Sequence, residues 1–204
     1  MSERLVRSME WTLLMIGVVC LGTVGAHAFA AYRFDRAQTL RLERGEMASS
    51  DAMPGALVGL LSVPRLGLST PIIEGDDAES LLYSADHLSD TPWPWQAGNS
   101  AIAAHRDGRF RALRRIKVGD EILVRTSRGD LSYVVRDLSI VAPDDLSVLA
   151  PHEPASLTLI TCYPFSYIGH APKRFIVRAE RVTIFSASQS SDTTAASFRL
   201  TSLD

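Results

Sequence analysis

The chain has 204 residues, 46% of them apolar, with 21 basic and 23 acidic side chains and a formal net charge of −2. That balance excludes the strongly basic face that a phosphate backbone demands, so no nucleic-acid partner is expected. The length suits one folded domain with appendages.

Residues 1–10 read as a short cytoplasmic tail. Residues 11–32 contain no Asp, Glu, Lys or Arg and are rich in Leu, Val, Ile and Ala. As a helix they span the roughly 30 Å of a bilayer's hydrocarbon, and a transmembrane helix is predicted. A cleavable signal peptide is the competing reading, because Ala26-His27-Ala28 has the look of a small-residue cleavage site. Its apolar core would be only about 7–15 residues, so length favours retention. Arg33, Arg36, Arg41 and Arg44 follow the segment and only Arg4 and Arg7 precede it. That bias alone would leave the C-terminal part inside the cell, so the chemistry of the domain has to decide the orientation.

Residues 33–55 are charged, then small and polar, and are expected to form a helical stem passing into a linker. The folded domain is placed at 56–186. Within it, strand-like runs recur between turn residues at 56–63, 68–73, 100–104, 121–126, 131–139, 156–162 and 174–185, which predicts an all-β sandwich or barrel. Pro64 and Pro71 read as lying near strand ends, where a missing N–H is tolerated. Short helices are predicted over 77–84 and 110–116. Residues 187–204 are rich in Ser, Thr and Ala, and a disordered tail is expected.

Two cysteines occur, Cys20 in the apolar segment and Cys162 far downstream, so no intradomain disulfide can form between them. No cluster of His, Cys, Asp and Glu stands at metal-ligand spacing, and neither metal nor other cofactor is expected. Cys162 ends the β-branched run Ser156-Leu157-Thr158-Leu159-Ile160-Thr161, just before Tyr163-Pro164, and so belongs at a barrel rim. By itself it could equally be a small core hydrophobe. A second run, Ser100-Ala101-Ile102-Ala103-Ala104, ends in His105, the side chain suited to exchange a proton with a thiol near neutral pH. His27 lies in the apolar segment, and His87, His152 and His170 have loop-like surroundings. Arg174 opens the strand after Cys162, and a guanidinium there could hold a developing oxyanion without losing its charge. A lone His or Arg is more often a satisfied or solvated surface group. Together the three side chains make up the set that acyl transfer through a thioester requires.

The same residues carry a family resemblance. Thr158-Leu159-Ile160-Thr161-Cys162 matches the T-L-x-T-C motif of sortases at every fixed position, and Arg174 stands where that family has its essential arginine. Gly98-Asn99-Ser100-Ala101-Ile102-Ala103-Ala104-His105-Arg106-Asp107 is similar to the sortase segment G-N-x-x-I-A-G-H-R-D, with Ala104 in place of glycine. Phe110-Arg111-Ala112-Leu113 and Val118-Gly119-Asp120-Glu121 continue the likeness, which runs from about Gly59 to Arg181. Tyr163-Pro164-Phe165 resembles the segment after the cysteine in class D-like or Gram-negative sortases.

The resemblance implies a closed eight-stranded β-barrel with short helices, exported and held at the cytoplasmic membrane by the N-terminal helix. It implies Cys162 as nucleophile, His105 as general acid/base and Arg174 as the oxyanion-side cation. The implied partners are exported proteins bearing a C-terminal sorting signal, and an amine-bearing acceptor. A thiol hydrolase that passes the acyl group to water would share the first half-reaction. An L,D-transpeptidase would need a His-Gly-Cys-type cluster that is absent here. A non-catalytic anchored barrel that displays binding loops is the alternative from outside enzymology. Trp93 and Trp95 fit either a peptide groove or plain loop packing.

Overall fold

The computed structural model describes residues 3–47, 53–75, 83–167 and 169–182. The tail 187–204 and most of the helix expected over 77–84 lie outside them. A single helix, α1 (Glu3–Glu43), contains the apolar segment and continues into the stem. It is long and apolar enough to cross a membrane. Beyond the apolar stretch it touches the folded domain, where the ring of Phe34 stands 5.6 Å from that of Tyr83 and Gln38 is buried.

Eight strands follow: β1 (Leu57–Val63), β2 (Leu68–Glu74), β3 (Ala85–His87), β4 (Asn99–Ala103), β5 (Glu121–Thr126), β6 (Gly129–Val141), β7 (Ser156–Tyr163) and β8 (Lys173–Val182). They close into a barrel in the order β1-β2-β3-β4-β7-β8-β6-β5. Closure leaves no edge strand unpaired. The pairs β2–β3 and β4–β7 are parallel and the others antiparallel. All seven strand runs read from the sequence are present. The eighth, β3, was missed because three residues are too few to show a period of two. The predicted helix at 110–116 is a 3₁₀ helix at Arg109–Arg115 that plugs the barrel with Phe110 and Leu113.

Alternation fills the core. Val58, Leu61, Ile72, Ile102, Ile122, Val124, Leu157, Leu159 and Val177 are fully or almost fully buried in one cluster with Phe110 and Leu113. At Gly59 the strands come too close for any side chain, because a Cβ would meet the Arg125 carbonyl oxygen at 2.2 Å. Gly59→Ala is therefore expected to push β1 off β5 and to lower stability by about 2–3 kcal/mol, measurable by chemical denaturation. Pro64 starts a 3₁₀ turn directly after β1, as a strand-end proline should. Pro71 instead lies inside β2, opposite Leu60. Pairing with β3 begins only at Ile72, so its missing N–H interrupts no bond to that neighbour.

Polar clamps tie the connections to the barrel. Arg65 grips the buried carboxylate of Asp120 through Nε and Nη2 and also donates from Nη2 to the Arg115 carbonyl at 2.7 Å. The Arg65 hydrogen bonds hold the Asp120 carboxyl below the usual carboxylate range, with further help from the Lys117 N–H. Because the folded-state value is the lower one, the associated stability is present above about pH 4 and is lost as pH falls through the folded value. Asp120→Asn should thus flatten the acid limb of a stability-versus-pH curve below about pH 4 while lowering stability at neutral pH.

His87, in β3 and not in a loop, faces Glu74 across 2.6 Å through Nδ1 and is fully buried. Its ring stacks on Trp93 at 4.9 Å, and Trp93 stacks on Trp95 at 5.0 Å. The two tryptophans thus pack on one another and on the buried imidazole, both of them partly exposed. Tyr133 donates to the Pro94 carbonyl at 2.7 Å beneath them, and burial pushes its hydroxyl up to about 12.

Candidate active site

The position of Cys162 follows from strand register. In the β7–β8 ladder Leu157 and Leu159 turn into the core, so Thr158, Ile160 and Cys162 face outward. Across the antiparallel pair, Cys162 stands directly opposite Arg174, and Ile160 opposite Ile176. Directly opposed residues on one face have Cβ atoms about 4.5–5.5 Å apart, so the two side chains leave the sheet from one short stretch of surface. Cys162 is half-buried and free. It is the penultimate residue of β7, since the strand continues to Tyr163.

On the other side of β7 lies β4, parallel to it, with Ala103 opposite Ile160 at the end of the ladder. His105 and Cys162 each stand two residues beyond that last pair, so chain continuation carries both in the same direction, one strand spacing apart. The hydrogen bond from the Ala104 N–H to the Ile160 carbonyl, 3.2 Å, continues the pairing past β4 itself. The buried hydroxyl of Thr161 then donates to the Ala104 carbonyl at 2.7 Å. The second threonine of the T-L-x-T-C run thus fixes the peptide unit that precedes His105.

The first threonine works at the far end of the same strands. Asn99, fully buried, accepts from Thr158 Oγ1 at 2.7 Å and donates from Nδ2 to the Val148 carbonyl at 2.9 Å. It therefore locks β4 to β7 and pins the connection between β6 and β7 beside their outer face. Along that face the half-buried Ala103 and Ile160 form an apolar floor leading to Cys162, while Ala101 and Ile176 on the same face are buried. Asn99, Thr158 and Thr161 hold the site without titrating. The sequence signal that could have found them was a run of polar side chains inside two otherwise apolar strands.

Arg174 donates from Nη1 to the Ala171 and Lys173 carbonyls at 3.2 and 3.1 Å. These bonds restrain one end of the guanidinium at the entry to β8. Among the described residues, no group of three or more His, Cys, Asp and Glu side chains is placed to hold a metal ion.

A free thiol opposite an arginine at one end of a closed barrel, with a histidine two residues past the neighbouring strand, is an arrangement of the kind thiol-dependent acyl-transfer enzymes call for. The family follows from comparison with known proteins. The sortase domain model matches residues 61–182, and the chain belongs to the sortase family of cysteine transpeptidases. It is 38% identical over 137 residues to sortase D of Bacillus subtilis, a match covering 67% of this chain and 69% of that protein. To sortase SrtE1 of Streptomyces coelicolor it is 30% identical over 139 residues, 59% of this chain and 40% of that one. Among solved structures it resembles a sortase D5 transpeptidase of Clostridium perfringens, with TM-score 0.59 and 25% identity over 73% of this chain and 89% of the other. It also resembles sortase A of Corynebacterium diphtheriae, with TM-score 0.60 and 28% identity over 67% of this chain and 65% of the other.

Proposed function

We propose that this transpeptidase works at the outer face of the cytoplasmic membrane, where α1 anchors it, and that Cys162, His105 and Arg174 carry the reaction. The observation that supports this reading best is the register that sets Cys162 opposite Arg174, with β4 delivering His105 on the other flank.

The chemistry follows from those positions. The Cys162 thiolate adds to the carbonyl of a peptide bond in the C-terminal sorting signal of an exported protein, whose chain lies along the apolar floor. Arg174 donates hydrogen bonds to the oxyanion that forms. His105, as imidazolium, gives its proton to the nitrogen of the breaking C–N bond, the C-terminal piece leaves as an amine, and a thioester remains on Cys162. The now neutral imidazole takes a proton from the incoming amine as that amine attacks. Collapse of the second tetrahedral adduct forms the new amide and returns the thiolate. The guanidinium stays charged throughout, so the same group serves both adducts.

The test uses the full-length protein in detergent micelles, a library of internally quenched peptides with a fixed Leu-Pro pair, and hydroxylamine as acceptor. Transfer predicts a thioester adduct on Cys162 by mass spectrometry and a hydroxamate product. If only the free acid forms at high hydroxylamine, the protein is a hydrolase. If no peptide is cut and Cys162 is inert to thiol reagents, the anchored binding barrel is correct. A C-terminal reporter that is active only outside the cytoplasm checks the orientation, and activity of a cytoplasm-only reporter would reverse it.

A further inference from the structure

Beside the Cys162–His105 corner lies a cavity of about 430 Å³ with a wall unlike the apolar floor. It is lined by Arg106, Asp107, Arg111, Arg114 and residues 163–166. Residues 106–115 carry five arginines against a single aspartate, in a chain whose overall charge is slightly negative. Arg111 and Arg114 are exposed, and among the described residues neither forms an ion pair. Asp107, the one carboxylate on the wall, is exposed and, among the described residues, forms no ion pair with the arginines.

Arg106 is the buried member, at 9% exposure. Its Nη2 donates to the Tyr167 and Gly169 carbonyls at 2.5 and 3.0 Å, and its guanidinium lies 5.9 Å from the Tyr167 ring centroid. Those contacts fasten the connection between β7 and β8 over the segment that follows His105. Nη1 of the same group is buried with no hydrogen-bond partner. Burying a guanidinium without a carboxylate is costly, and an anion held in the adjoining cavity would offset part of that cost through its charge.

We infer that this cavity is a subsite for an anionic group, a carboxylate, carried by the amine that resolves the thioester. The inference rests on the reading of Cys162 and His105 given above. Arg106 adjoins His105 and Tyr163 adjoins Cys162 in the chain, so the cavity lies on the side where the proton moves to and from nitrogen. A carboxylate within about one residue of the attacking amine reaches the arginines while that amine meets the thioester. Planar guanidinium groups match a carboxylate by two parallel hydrogen bonds, and the pairing fixes direction as well as adding attraction.

Two measurements test the subsite, both on the full-length protein in micelles with Cys20 replaced by Ser. In the first, Cys162 is modified by methanethiosulfonates bearing a neutral methyl, an anionic sulfonatoethyl or a cationic trimethylammonioethyl group. The anionic reagent should react about tenfold faster than the cationic one, and Arg111→Gln combined with Arg114→Gln should remove most of that ratio. Arg128→Gln, remote from the cavity, should leave it unchanged. In the second, glycylglycine and glycylglycinamide compete as acceptors for the acyl group of a peptide that the library assay selects. The carboxylate form should have an acceptor KM about tenfold lower, and the double variant should equalise the two.

A reactive Cys162 without charge preference, equal use of the two acceptors, or a preference that survives the double variant would overturn the subsite alone. A Cys162 inert even to the neutral methyl reagent would overturn the underlying reading and this one with it.

Discussion

Cys162→Ala should abolish turnover, by at least about 10⁴-fold in kcat/KM, while the barrel stays folded. Sulfur is the only atom in this site able to form the thioester, and alanine leaves nothing to attack the carbonyl. The fold should barely register the change. Cys162 is half-buried on the outer face of β7 and lies outside the core cluster that Leu157 and Leu159 join. Stability should therefore shift by no more than about 1–2 kcal/mol in chemical denaturation. Turnover within tenfold of the parent would remove the thiol from the mechanism. A large loss of stability with equally poor activity would make Cys162 a packing residue.

His105→Ala should lower kcat by between about a hundredfold and ten-thousandfold, the usual range for a positioned proton carrier. In the proposed mechanism the imidazole has two tasks, protonating the leaving nitrogen and stabilising the thiolate, so a second readout separates them. Alkylation of Cys162 by iodoacetamide at pH 7 should slow in the variant. Unchanged alkylation together with unchanged kcat would place His105 outside the site. Unchanged alkylation with reduced kcat would assign it to the leaving group alone.

Much of this architecture can be read from the chain because local and long-range signals agree. The β-branched and aliphatic runs that mark β1, β5, β7 and β8 are also the rows that fill the core, so propensity and burial name the same residues. β3 fails that criterion: with three residues it owes its place to Glu74, Trp93 and the edge of β2. Cys162, His105 and Arg174 each end or open a strand and bear reactive groups, which is why they stand out one by one. Their adjacency is another matter. Cys162 meets Arg174 through a register fixed along the whole β7–β8 ladder, and β4 joins β7 in parallel across more than fifty intervening residues. The partners of the residues that hold the site were not legible for the same reason. Asn99 meets Thr158 and Val148, and Arg106 meets Tyr167, through hydrogen bonds spanning 49 to 61 positions, and a side chain's distant partner leaves no local trace.

The stem contact between Phe34 and Tyr83 has a bearing on where such an enzyme can search. With the apolar part of α1 in a bilayer, Phe34 stands within one helical turn of the hydrocarbon edge, so the barrel hugs the headgroup layer and does not swing on a long tether. Encounter then becomes a problem in two dimensions. For donors that are themselves held in that membrane, cleavage should track how many share each patch of lipid, and inserting whole turns between Tyr32 and Phe34 should lower it by lifting the barrel away.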